Sequence, residues 1–165
     1  MNFVKPPKSI EIATCSLPFP LGRVDIHVSA AGIHEIRLST IPCPKGNSRL
    51  LDPFQPLVAF LEKWPTLPAP AHIPLVLEPT AWQKKVWELL VRIPVGETEA
   101  YGEIAKKMGR PTASRAVARA CASNHWCLLI PCHRVLGANG RICGFTGGIE
   151  WKPKLLRCEW EFSML

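Results

Sequence analysis

Apolar and polar residues alternate early in this chain and take helical spacing in its second half. Val24, Ile26 and Val28 alternate with Asp25, His27 and Ser29, the period-2 pattern of a half-buried strand. Ala30-Ala31-Gly32 predicts a turn into a second strand over Ile33-His34-Glu35-Ile36-Arg37-Leu38. Residues 41–48 hold two prolines and a glycine and read as loop. A short helix is predicted over Pro56 to Trp64, with Pro56 tolerated in its first turn and Leu57, Val58, Leu61 and Trp64 on one face. Residues 65–79 hold five prolines and read as a semi-rigid linker. It separates an expected domain over 1–78 from a second over 79–165.

Past the linker the spacing changes. Thr80-Ala81-Trp82-Gln83 is a capping-box pattern. Trp82, Val86, Leu89, Leu90 and Ile93 follow at helical spacing and read as core. Tyr101 to Met108 predicts a second helix stopped by Gly109. Thr112 is placed to cap a third, with Ala113, Ala116, Val117, Ala120 and Cys121 on one side and Arg115 and Arg119 on another. Two short helices around a tight turn, the second basic, make a helix-turn-helix candidate. Leu128-Leu129-Ile130 predicts a buried strand ending at Pro131. Asn139-Gly140 between 134–136 and 141–143 predicts a hairpin. Pro153 suits the start of a final helix holding Leu155, Leu156 and Glu159.

Composition narrows the class. With 165 residues and 47% hydrophobic content the chain has enough apolar material for a core. No apolar run approaches the ~20 residues of a membrane span, and Met1 to Lys8 lacks a signal-peptide pattern. The expectation is an intracellular protein: cytoplasmic or nucleoid in a prokaryote, nuclear in a eukaryote. Seven cysteines form no CxxC pair, which argues for thiols in a reducing compartment. The net charge of +7 is uneven: seven bases against six acids in 1–80, thirteen against seven in 81–165. Such a basic half fits a polyanion partner, nucleic acid first, or a solvated basic face.

Pro131-Cys132-His133-Arg134-Val135 carries the candidate chemistry. A thiolate is the reactive form of cysteine, and a neighbouring base is a common way to obtain it. Adjacent residues on an extended strand point opposite ways, so Cys132 and His133 would need a turn or a bridging water to cooperate. Glu159 is the candidate to orient the imidazole. A metal site on Cys127, Cys132, His133 and Cys143 fits no common zinc spacing. A buried thiol beside an unrelated histidine is the bland alternative.

An ordered series of residues resembles the O6-alkylguanine-DNA alkyltransferases. It comprises Tyr101-Gly102-Glu103-Ile104-Ala105, Arg115-Ala116-Val117, Asn124, Pro131 to Val135, Gly144-Phe145-Thr146-Gly147-Gly148, and Leu155-Leu156 with Glu159. The spacing matches without gaps from Tyr101 to Glu159, and more weakly upstream over Pro18 to Leu38. The resemblance implies an α/β protein: a small RNase H-like N-terminal domain and a mostly helical C-terminal domain with a helix-turn-helix. It implies single-turnover repair, in which the alkyl group on guanine O6 moves to Cys132; O4-alkylthymine is left open as a second substrate.

The resemblance assigns roles by position. Cys132 is the nucleophile, His133 its base through a water, Glu159 the group that holds His133, and Asn124 the tie between recognition helix and active-site loop. Tyr101 meets the guanine edge, Pro131 and Tyr101 wall the alkyl pocket, and the carbonyls of Cys132 and Val135 accept from the guanine amino group. Thr146 reaches O6. Arg115 is the finger that replaces a flipped base. Ala113, Ser114 and Ala116 give a small-residue face for the minor groove, with Gly102, Arg110 and Arg119 on the DNA-contacting surface. No cofactor and no metal are implied, since Ser29 stands where an N-terminal zinc ligand beside His34 and His72 would be needed. The expected partner is double-stranded DNA bearing O6-alkylguanine, with no membrane, bound by a monomer that has room for cooperativity on DNA. Departures are Ala100, Ala118-Arg119, His125 and Phe145. The rival class is a non-catalytic lesion-recognition or regulatory module, against which Cys132, His133 and Glu159 speak together.

Overall fold

In a computed structural model, which describes residues 1–41 and 48–165, the chain divides into two compact units, Met1–Glu78 and Pro79–Leu165. Most of the loop expected over 41–48 lies outside the described residues.

The first unit is a five-stranded mixed sheet. Strands β1 (Asn2–Val4), β2 (Ala13–Phe19), β3 (Gly22–Ser29), β4 (Gly32–Ser39) and β5 (Pro74–Val76) lie in the order β1-β5-β4-β3-β2. β2, β3 and β4 are antiparallel, while β5 runs parallel to both β1 and β4. The alternation in β3 buries Val24, Ile26 and Val28 completely. β4 breaks strict alternation between Ile33 and Ile36. A register shift at His27/Val28 absorbs the extra residue, so Ile36 still faces Ile26 and Ile33 faces Val28. After a 3₁₀ segment over Ser48–Phe54, helix α1 (Gln55–Glu62) lays Leu57, Phe60 and Leu61 on the core. Trp64, just past it, packs its ring 5.3 Å from that of Phe19.

The proline-rich stretch is not a free linker. Pro74–Val76 within it forms β5, with Pro74 at the strand's first position, where a missing N–H is tolerated. β5 passes so close to Gly32, at φ 140°, that a Cβ there would stand 2.4 Å from the Pro74 carbonyl oxygen. Only glycine fits that crossing.

The second unit is built on helices α2 (Ala81–Leu90), α3 (Tyr101–Lys107), α4 (Ser114–Ala122) and α5 (Trp151–Ser163). The capping box at Thr80 forms: its Oγ1 accepts from Gln83 N–H at 3.2 Å, and Gln83 Oε1 accepts from Thr80 N–H at 2.8 Å. α2 packs on α4, where Trp87 Nε1 donates to the Ala120 carbonyl at 2.8 Å. Trp126 meets the Trp87 ring edge-on at 5.9 Å. α3 ends at Gly109, φ 70°, in a Schellman turn: Gly109 N–H donates to Lys106 O and Arg110 N–H to Ala105 O, both at 2.9 Å.

Four expectations need correction. Residues 128–130 are not a strand; the segment turns, with Leu128 at φ 75°. Residues 134–136 and 141–143 do not form a hairpin. Instead β7 (Val135–Leu136) pairs in parallel with β6 (Glu99–Ala100), and 138–140 coil into a 3₁₀ turn with Asn139 at φ 58°. Thr112 does not cap α4, whose N-cap is Ala113 without a side-chain bond. α5 begins at Trp151, so Pro153 sits within its first turn rather than at its start. No helix among the described residues is long and apolar enough to cross a membrane.

Candidate active site

Short backbone ladders position the site. The pairing of Glu99 with Val135 and Ala100 with Leu136 brings the start of α3, and so Tyr101, beside the loop that follows Cys132. Ala100 has no hydroxyl to cap α3. The cap works in one direction only, Ala100 N–H donating to Glu103 Oε2 at 2.6 Å. Cys132–Arg134 form a single 3₁₀ turn, which replaces the extended geometry that would have held the thiol and imidazole on opposite sides.

Asn124 ties the end of α4 to this turn. Its Nδ2 donates to the Ile130 carbonyl at 2.8 Å and to Cys132 Sγ at 3.1 Å, while its Oδ1 accepts from Trp126 N–H at 2.9 Å. Behind the turn, His133 Nε2 meets Glu159 Oε1 at 2.9 Å, both residues fully buried. Arg134 clamps the same carboxylate, Nε to Oε2 at 2.9 Å and Nη2 to Oε1 at 2.7 Å, and its Nη1 donates to Ile93 O at 2.6 Å. Cys132 itself is 3% exposed and opens onto a cavity of about 710 Å³.

The structure brings many of the expected residues to that cavity. Tyr101, Gly102, Ser114, Arg115, Cys132 and Thr146 line it, with Cys121, Cys143 and Phe145. Asn124, His133 and Glu159 lie behind it in the core. Pro131 and Val135 are buried but are not among the lining residues, and neither are Ala113 and Ala116. Arg119 is exposed on α4, and Arg110 lines a separate recess.

Residues 81–161 match the profile described as 6-O-methylguanine DNA methyltransferase, DNA binding domain. Across nearly the whole chain, the structure resembles the crystal structure of Mycobacterium tuberculosis O6-methylguanine methyltransferase. Identity is 30% over 92% of this chain and 94% of that one, with a TM-score of 0.70. The chain belongs to the O6-methylguanine-DNA methyltransferase family. The Mycobacterium tuberculosis OGT solved in complex with DNA is 32% identical over 90% of this chain and 92% of that one, TM-score 0.66. A Methanosarcina acetivorans methylated-DNA–protein-cysteine methyltransferase is 49% identical over 87 residues, 53% of this chain and 56% of that protein. The matched stretch thus spans about half the length of that curated relative.

The electrostatics of the site are informative. Burial pushes the Cys132 thiol up to about 11, against the Asn124 hydrogen bond and the nearby Lys152 charge, which pull it down. At rest the sulfur is therefore a protonated thiol. Burial alone would raise Glu159, but hydrogen bonds from His133 and Arg134 and the Arg134 charge hold it down at about 2. Burial lowers His133, with Glu159 opposing, so the resting imidazole is neutral. Burial also raises the Tyr101 phenol.

Two occupied carbonyls qualify the expected guanine contacts. Cys132 O accepts from Val135 N–H, and Val135 O accepts from Lys152 Nζ at 2.6 Å. Each oxygen has a second lone pair, so each keeps one acceptor site. The Thr146 hydroxyl, expected to reach O6, donates instead to the last carbonyls of α4, Ala122 O at 3.1 Å and Cys121 O at 3.4 Å.

Sequence reasoning missed Lys152 and the role of Arg134. Lys152 is fully buried, with Nζ 5.9 Å from the Tyr101 ring centroid. A lysine beside a proline at a helix start looks like a solvated charge, and nothing in the sequence says otherwise. Arg134 stood in the recognised motif, but its clamp on Glu159 needed α5 to be placed.

Proposed function

We propose that this chain reverses alkylation damage in DNA by moving the alkyl group from guanine O6 to Cys132. The observation that carries the reading is two buried contacts made by adjacent residues, Cys132 Sγ with Asn124 and His133 with Glu159, beside a cavity that also exposes Tyr101 and Arg115.

The steps follow from the residues. α3 and α4 act as the helix-turn-helix, and α4 enters the minor groove with its small residues Ser114 and Ala118 toward the cavity. Arg115, exposed beside the cavity, fills the place of the flipped guanine, an extrusion that costs a few kcal/mol. A water passes the Cys132 proton to the second nitrogen of His133. Glu159, kept ionised by Arg134, stabilises the imidazolium that forms. Asn124 N–H and the Lys152 charge stabilise the thiolate. Sulfur attacks the alkyl carbon; the S–C bond forms as the C–O6 bond breaks, and the electron pair leaves with guanine. The proton given up by the thiol balances the one guanine regains, with Tyr101 donating at the base edge. A thioether has no easy return path, so each chain acts once. The resident compartment in this reading is the one that holds DNA.

Cys132→Ser tests the assignment. The hydroxyl is a poor nucleophile here, so the variant is expected to bind lesion duplex with unchanged affinity and to leave the lesion intact, as read by chromatography of the digested DNA. Measurable loss of O6-alkylguanine with the serine variant would refute Cys132 as acceptor.

A further inference from the structure

The capping box that opens α2 makes one bond more than a cap needs. Gln83 Oε1 accepts from Thr80 N–H at 2.8 Å, which completes the box. Gln83 Nε2 donates to Ser123 Oγ at 2.8 Å, 40 residues along the chain. Ser123 in turn donates to the Ala120 carbonyl at 3.0 Å. With its one proton committed there, the Ser123 hydroxyl accepts from Gln83. A capping box is served as well by Glu as by Gln. Only the amide supplies a donor for Ser123, so the bond to α4 is what sets Gln83 apart from an ordinary cap residue.

Ser123 is the residue that closes α4, and Asn124 follows it. A helix leaves its last carbonyls without helical partners. Here Ala120 O accepts from Trp87 Nε1 at 2.8 Å as well as from Ser123, and Cys121 O accepts from Asn124 N–H at 3.2 Å. Asn124 therefore leaves a helix end that α2 fixes through Trp87 and Gln83. From that end its Nδ2 reaches Cys132 Sγ at 3.1 Å. Hydrogen bonds weaken steeply with misalignment, so the anchoring of the helix end governs how well this one is made. Burial pushes the Cys132 thiol up, and the Asn124 bond is the strongest influence opposing it.

We propose that Gln83 is a positioning residue for the reaction: through Ser123 it holds the end of α4, so that Asn124 keeps its amide on the Cys132 sulfur. The proposal rests on the reading that Cys132 is the alkyl acceptor. Gln83 does not line the reactive cavity, and it acts through the helix end alone. Every bond in the series is already made in the protein by itself.

The test is the pH profile of Cys132 alkylation by iodoacetamide, read on the Cys132 peptide by mass spectrometry. Gln83→Met and Ser123→Ala each remove the tie. Each is expected to move the profile upward by about half a pH unit, so that alkylation is roughly threefold slower at a fixed pH below the midpoint. The double variant is expected to match the single ones, because both remove the same bond. Alkyl transfer from lesion duplex is expected to slow by a similar factor with duplex affinity unchanged. Thr80→Ala removes one bond of the cap and leaves the Gln83–Ser123 bond in place, which makes it the control for stability alone. Its melting temperature is expected to fall while its profile stays with wild type. Profiles of both tie variants that coincide with wild type, or a Thr80→Ala profile moved as far as theirs, overturn the proposal. If wild-type protein takes no alkyl group from lesion DNA, the repair reading fails and the iodoacetamide profiles still decide Gln83.

Discussion

At the scale of single residues, the resting site is a protected acid rather than a standing nucleophile. With Cys132 pushed up to about 11, its alkylation by iodoacetamide is expected to rise about tenfold per pH unit from pH 7 toward that value. A flat profile near neutral pH would mean a preformed thiolate. The Glu159 carboxylate makes a second prediction. Its folded value lies below its ordinary 4.5, so the unfolded state binds the proton more readily as pH falls. Its contribution is fully present above 4.5 and is lost as pH falls toward about 2. Neutral, buried His133 acts in the same direction, since unfolding lets it charge below its ordinary 6.5. Urea midpoints are expected to decline below pH 6.5 and more steeply below 4.5; a midpoint constant down to pH 3 would contradict the buried pairing. Glu159→Gln leaves the Arg134 guanidinium, only 8% exposed, without its counter-charge. It is expected to cost roughly 3–5 kcal/mol in urea unfolding at pH 7.

Among the elements, legibility in the sequence tracked how local the cause was. α2 and α3 were readable because their caps and stops lie within a few residues: Thr80 with Gln83, and Gly109 in its Schellman turn. The β3 alternation was readable for the same reason. The segment around Cys132 was misread. Its shape comes from bonds of long sequence separation, Arg134 to Ile93 and Glu159, Lys152 to Val135 O, and β6 to β7. A short apolar run such as 128–130 carries no period that distinguishes a strand from a buried turn. His133 was named from its place beside Cys132 and Glu159 as the candidate to orient it, and the family resemblance gave both the same roles, whereas the depth of their burial was not visible. Two glycines give an element-level check. Gly109→Ala forces a side chain into φ 70° and is expected to lower stability by about 1–2 kcal/mol. Gly102→Ala, inside α3 with open space at the Cβ position, is expected to raise it by about 0.5–1 kcal/mol. Thermal melting distinguishes them, and equal signs would contradict the conformations described for these two positions.

For the molecule as a whole, the charge and the chemistry lie in the same half. The second unit carries most of the net +7, and the exposed bases Arg115, Arg119, Arg110 and Lys85 fall on α4 or beside it. The first unit has a core of its own, so a separate role in supporting the chain needs no residue of the reactive cavity. The central claim is that one sulfur accepts one alkyl group. It is tested by incubating the protein with duplex DNA carrying O6-guanine bearing a deuterated methyl group, followed by digestion and mass spectrometry. The expected result is one labelled methyl per chain, on the peptide holding Cys132, with the other cysteine peptides unchanged and the reaction halted after one equivalent. An unlabelled Cys132 peptide after the lesion has disappeared, or label on another cysteine, would contradict it.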